Sequence, residues 1–130
     1  MVRTYAQVVG VVLVLLGVIG LLLGEERLFG LLNVDLLDDL IHLASGGLLV
    51  YAGLLQRSAR LTRSVVGALG AFYLLVGALG FVVPFLFGLL PHGYSVFDNL
   101  IHVVLGILSL LIYATSRLPE AERRAADPRA

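Results

Sequence analysis

The chain contains no cysteine. That absence removes disulfides, thiolate metal sites, iron–sulfur clusters and a cysteine nucleophile together. Charge is scarce as well. Only 14% of the 130 residues are Asp, Glu, Lys or Arg, against roughly 25% in soluble domains. Nine basic and nine acidic residues cancel, so no general attraction to nucleic acid or to acidic partners is expected. A P-loop, a dinucleotide fingerprint, an H-E-x-x-H helix and a Ser/His/Asp triad spacing are all missing. Histidine has the right chemistry for acid–base work, yet no substrate pocket is legible around it. The chain is expected not to be an enzyme.

Apolar length is what the chain does have. Hydrophobic residues make up 59% and the mean hydropathy is +1.00, which excludes an ordinary soluble domain. Four runs, at roughly 5–24, 36–56, 64–87 and 96–116, each reach the approximately 20 apolar residues that a bilayer requires. The first follows Arg3 as a signal peptide would. It outruns an h-region of about 7–15 residues, and Gly24-Glu25-Glu26 lacks a small-x-small cleavage pattern, so it reads as a retained span. Arginine sets the expected orientation. Arg3 precedes the first run, Arg57, Arg60 and Arg63 fill the middle loop, and Arg117, Arg123, Arg124 and Arg129 follow the last. The other two loops hold only Arg27, against Glu25, Glu26 and Asp35. The positive-inside rule then places both termini in the cytoplasm, N-in and C-in. Tyr51 and Tyr113 fall toward the cytoplasmic ends of their runs, as interfacial aromatics do.

The sequence also repeats itself. Asp38-Asp39-Leu40-Ile41-His42 returns as Asp98-Asn99-Leu100-Ile101-His102, and the register holds without a gap. Gly10, Gly17, Gly20 and Gly46 map onto Gly70, Gly77, Gly80 and Gly106. An even number of spans per copy makes the copies parallel, related by a pseudo-two-fold axis along the membrane normal. The expected fold is all-α: a polytopic membrane four-helix bundle of two parallel helical-hairpin repeats. Repeat one covers about 4–57 and repeat two about 64–117, within a membrane domain 1–118, and 119–130 form a polar cytoplasmic tail. Lipid offers no hydrophobic drive for helix association, so close backbone approach supplies it. Gly17-x-x-Gly20 and Gly77-x-x-Gly80 read as notches for a neighbouring helix, and Gly46 and Gly106 as further packing positions. Pro84, where the first copy has Gly24, is expected to kink or end the third span.

On these motifs the chain resembles a bacterial family of small four-helix membrane proteins catalogued as domain of unknown function 4383. The family pattern is [HD]-N-x-x-H with a Gly four residues on, once before each even-numbered span. Asp98-Asn99-Leu100-Ile101-His102 with Gly106 fits it, and Asp38-Asp39-Leu40-Ile41-His42 with Gly46 departs at Asp39. The resemblance covers roughly residues 5–115. It implies a four-span fold in a bacterial inner membrane and no assigned biochemistry.

Asp38 and His42 are four apart, so on a helix they share a face, as do Asp98 and His102. In the structural reading, Asp38 and Asp98 cap spans two and four, and the histidines lock the bundle by hydrogen bonds. The chain is then an accessory membrane protein without a cofactor, packing in the lipid bilayer with itself as a homo-oligomer or with a larger complex. Asp38, His42, Asp98 and His102 could instead converge on a divalent metal. Alternatively His42 and His102 could ligate a haem, with Gly46 and Gly106 making room for the macrocycle. A small transporter or channel is a third reading, because intramembrane ionisable residues mark ion paths. His92, in the loop Pro91-His92-Gly93, maps onto Leu32 and reads as a surface residue. Tyr73 needs a hydroxyl partner, expected to be a backbone carbonyl, and Ser45 and Ser109 are expected to bond within their own helices.

Overall fold

A computed structural model describes residues 1–24 and 35–120, together with the backbone of 27–28 and 32–33. The polar tail beyond Glu120 lies outside the described residues. Among the described residues there are four α-helices: α1 (Val2–Leu23), α2 (Leu36–Val50), α3 (Ala59–Val82) and α4 (Val96–Thr115). α2 continues through a π turn at Tyr51–Leu55. All four, α2 with this extension, are long and apolar enough to cross a membrane, so this is an integral membrane helix bundle. Between α1 and α2, Arg27–Leu28 and Leu32–Asn33 form a two-residue antiparallel ladder.

Three of the spans lie close to their expected positions, and α3 lies five residues nearer the N-terminus. Two local effects set its bounds. Ser58 is its N-cap and accepts from the Leu61 N–H at 3.2 Å, as a cap hydroxyl does for the first turn. At the other end, Pro84 pushes the preceding residue out of the α region, and Val83 adopts φ −132°, ψ 73°. Arg60 and Arg63 therefore ride on the first turns of α3 rather than in a loop. Arg63 donates to the Tyr113 carbonyl at 2.7 Å and stacks 4.4 Å over its ring. α1 ends differently, at Gly24 with φ +79°, a left-handed stop that glycine adopts without a Cβ penalty.

Glycine joins the helices within each hairpin. A Cβ on Gly46 would lie 2.8 Å from the Gly10 carbonyl oxygen, and one on Gly10 would lie 2.9 Å from that of Gly46. In the second hairpin a Cβ on Gly106 would lie 2.5 Å from the Leu74 nitrogen. Gly17 and Gly77 face the backbone of Asp39 and Asn99 at 2.7 and 2.8 Å, and Gly20 and Gly80 receive the side chains of those same two residues. Ala6, Leu13, Leu49, Val66 and Tyr73 fill the centre.

Polar groups join one hairpin to the other. The Ser45 hydroxyl donates to the Ile41 carbonyl at 2.7 Å, so the Tyr73 hydroxyl, 2.5 Å away, donates to Ser45. Tyr73 thus takes a serine on α2 rather than a backbone carbonyl. Ser109 likewise donates to Leu105 at 2.8 Å and accepts from Tyr5 at 2.6 Å. At the π turn, Thr62 of α3 donates across to the Ala52 carbonyl at 2.7 Å, while within the first hairpin Gln7 donates to that of Gly53 at 2.9 Å. Both carbonyls come from a stretch where the wide turn loosens the regular ladder, and in lipid every such group needs a partner inside the protein.

Candidate functional site

The first turns of α2 and α4 share one end of the bundle, and their capping chemistry differs by one residue. In α4 the N-cap is Ser95, and its hydroxyl accepts from the Asp98 N–H at 3.2 Å. The Asp98 carboxylate returns the bond from the Ser95 N–H at 2.8 Å. This is a closed capping box. In α2 the matching N-cap is Asp35, and it makes no side-chain cap bond. Two carboxylates in one box repel, so the pair opens. Asp35, fully buried, turns to His92 Nδ1 at 2.8 Å. Asp38 is left to bond elsewhere. The expectation that Asp38 and Asp98 are themselves the N-caps is therefore corrected. Both sit three residues inside, because Asp35 and Ser95 hold the extended backbone that precedes each helix.

Asp38 is 5% exposed. Its Oδ1 accepts from the Tyr94 hydroxyl at 2.8 Å, and its Oδ2 lies 3.6 Å from His42 Nδ1. His102, on α4, is 4% exposed and stands 6.0 Å from His42 between ring centroids. Tyr73 lies beside both histidines, at 6.4 and 5.5 Å, and Tyr94 meets His102 edge-on at 5.1 Å. Asp38, His42 and His102 each offer a ligand atom, and these atoms lie within 4.8 Å of one another. Three of the four residues read from the sequence as metal ligands thus come together. Asp98 is not among them, because its carboxylate closes its own helix terminus.

His102 Nδ1 is buried with no hydrogen-bond partner. Leaving such an atom unmet costs about 1–3 kcal/mol. The Asn99 side-chain oxygen is also buried and unmet, but it packs against Gly80 on α3. Asp39, its counterpart in the first hairpin, packs against Gly20 in the same way.

Gly46 and Gly106 do not open space beside the histidines. The backbone of Val14 lies where a Cβ on Gly46 would point, and that of Leu74 where one on Gly106 would point. The room that the haem reading assigned to these glycines is filled by α1 and α3.

Tyr94, Asp35 and Tyr73 complete the surroundings, and sequence reasoning did not place them there. His92 and Tyr94 come from the α3–α4 connection and reach across to α2. His92 keeps a half-exposed ring, as a loop residue does, but it also partners a buried carboxylate. The available signal was a break in the sequence match between the two halves: His92 and Tyr94 stand where the first half has Leu32 and Val34. Burial pushes the Tyr94 phenol above its ordinary range, and the negative charge of Asp38 adds to the effect. Tyr94 therefore stays protonated and donates. Compared with family models, curated proteins and solved structures, the chain matches none.

Proposed function

We propose that this chain is a structural or accessory protein of a bacterial cytoplasmic membrane, non-enzymatic, with both termini in the cytoplasm. In this reading its two hairpins are parallel copies about a pseudo-two-fold axis, and the bundle packs sideways with a second copy or with a larger membrane complex. The resemblance carried by Asp98-Asn99-Leu100-Ile101-His102 and Gly106 supports the bacterial setting. The arginine distribution supports the orientation.

The observation that carries the packing role is the outward face of α3. Ser64, Ala68, Ala71 and Ala78 are exposed along it, with one large residue, Leu75, exposed between the last two. Elsewhere the lipid-facing positions are mainly large: Val8, Val11, Leu15 and Leu22 on α1, and Leu100, Val104, Ile107 and Leu111 on α4. Small residues on a lipid-facing helix let another backbone come close, and packing contacts then drive association. A groove of about 290 Å³ opens on this face, lined by Ser64, Gly67, Ala68, Leu110 and Tyr113.

The absence of cysteine makes the test clean. Single cysteines at Ala68 and Ala71 should cross-link in native membranes to a second copy or to one discrete partner, and a cysteine at Leu15 should not. Ala71→Leu should remove the heavier species from detergent extracts. Equal cross-linking at positions 15 and 68, with the mass unchanged by Ala71→Leu, would refute the role.

A further inference from the structure

We propose that Asp38, His42 and His102 bind one divalent transition-metal ion of the borderline class, zinc being its representative, between the two hairpins. This goes beyond the packing role and rests on different residues. Asp38 and His42 come from one face of α2 and His102 from α4, so the site exists only when the hairpins are assembled. Bonds of about 2.0–2.2 Å to nitrogen and carboxylate oxygen put tetrahedral ligands roughly 3.3–3.6 Å apart. Asp38 Oδ2 and His42 Nδ1 already stand at 3.6 Å, long for a hydrogen bond and right for two ligands of one ion. All three ligand atoms lie within 4.8 Å, so the remaining closure is on the order of 1 Å.

Two independent features point to a ligand. The first is His102 Nδ1, buried and without a partner, on a residue only 4% exposed. The second is the outer bond of Asp38: Tyr94 holds its Oδ1 at 2.8 Å and leaves Oδ2 toward the histidines. Metal carboxylates are oriented by such bonds. Charge agrees. Asp35, Asp38, Asp39 and Asp98 are all buried at this end, which favours a cation.

The donor set selects the class. Two imidazoles and a carboxylate suit zinc and its first-row neighbours. Magnesium and calcium take oxygen shells, and thiolate-loving ions find no cysteine. Three protein ligands leave a coordination position open, as in sites that handle an exogenous ligand.

The test uses the full chain in detergent, freed of metal by a chelator and titrated with Zn²⁺ and, separately, Co²⁺. One Zn²⁺ per chain should bind, with a rise in melting temperature, and Co²⁺ should show the visible bands of low-coordinate nitrogen–oxygen ligation. His42→Gln and His102→Gln should each weaken binding at least 100-fold. Tyr94→Phe should weaken it 10- to 100-fold, the usual range for an outer-shell partner. Asp98→Asn, which removes a neighbouring charge but no ligand, should weaken it less than Tyr94→Phe does. No binding at millimolar Zn²⁺ overturns the proposal, and so does undiminished binding by the His42→Gln/His102→Gln double variant. If those variants do not fold, pulsed EPR of Cu²⁺ on the wild-type chain decides. Two coordinated imidazoles uphold the site, and one or none overturns it.

Discussion

Gly106→Ala and Gly47→Ala make the same chemical change in two helices and should move stability in opposite directions. A Cβ at Gly106 would sit 2.5 Å from the Leu74 nitrogen and 2.7 Å from its Cα and Cβ. Carbon atoms in good contact stand about 3.5–4.0 Å apart. α3 and α4 would have to part by roughly 1 Å. The obstacle is backbone, so no rotamer change relieves it. Overpacking of this kind costs about 1–3 kcal/mol. Alanine also carries a helix-propensity advantage of up to about 1 kcal/mol over glycine, which offsets part of the loss. At Gly47 nothing lies within 4 Å of the added carbon, and only the propensity acts. The propensity cancels between the two variants, so the gap between them is the overpacking alone, about 1–3 kcal/mol. For a chain of this size that is roughly 3–15 °C in melting temperature. Thermal unfolding in detergent, followed by circular dichroism, measures it. Gly46→Ala, whose Cβ would fall 2.7 Å from the Val14 nitrogen, should group with Gly106→Ala. Equal melting temperatures for Gly47→Ala and Gly106→Ala, or Gly106→Ala the more stable, would show that helix approach at these glycines does not limit the fold.

Tyr94→Phe strips the hydrogen bond from a buried carboxylate oxygen and should destabilise by about 1–3 kcal/mol, with little further loss when Asp38 is already replaced by Asn. Its wild-type contribution also has a pH window. The folded phenol is raised above its ordinary 10.0, so that stability is complete below about pH 10 and is lost as pH climbs toward the folded value. Alkaline unfolding that is identical for wild type and Tyr94→Phe would contradict this. Ser95→Ala should lose the cap of α4 and about 1 kcal/mol, whereas Asp35→Ser should let a box close on Asp38 and weaken its bond to Tyr94. A double-mutant cycle between positions 35 and 94 reads that coupling. For orientation, a cysteine at Arg60 should be shielded from an impermeant thiol reagent in intact cells, and one at Leu89 should react. Leu89 is 64% exposed. Labelling at position 60 but not at 89 would reverse the orientation.

Much of the architecture was legible because it depends on properties local to one helix. Apolar length identifies a span wherever its neighbours are. A glycine needed for close approach shows as a glycine, and a matching glycine in the other half of the chain marks it again. Asp38 and His42 share a face by helical geometry alone. The bounds of α3 were less accessible, since its first five residues, Ala59 to Arg63, include two arginines and a threonine that hydropathy assigns to a loop. The structure keeps them helical because Ser58 caps the turn and Thr62, Arg63 and the Ala52 and Tyr113 carbonyls satisfy one another.

The sequence by itself determined that this is a chain of four membrane-length helices, that its two halves carry matching glycines, and that carboxylate and imidazole stand one turn apart near the start of α2 and of α4. Each follows from residue type and spacing along a single helix. Only the tertiary structure decided that the two Asp–His pairs are not equivalent. Asp98 closes a box with Ser95. Asp38, denied one by Asp35, turns to Tyr94, His42 and the neighbourhood of His102. That choice depends on how the hairpins are rotated against each other and on where the α3–α4 connection delivers His92 and Tyr94. Neither quantity has a period or a spacing along the chain; the sequence marks only that residues 92, 94 and 95 differ from 32, 34 and 35, not what those differences bring together.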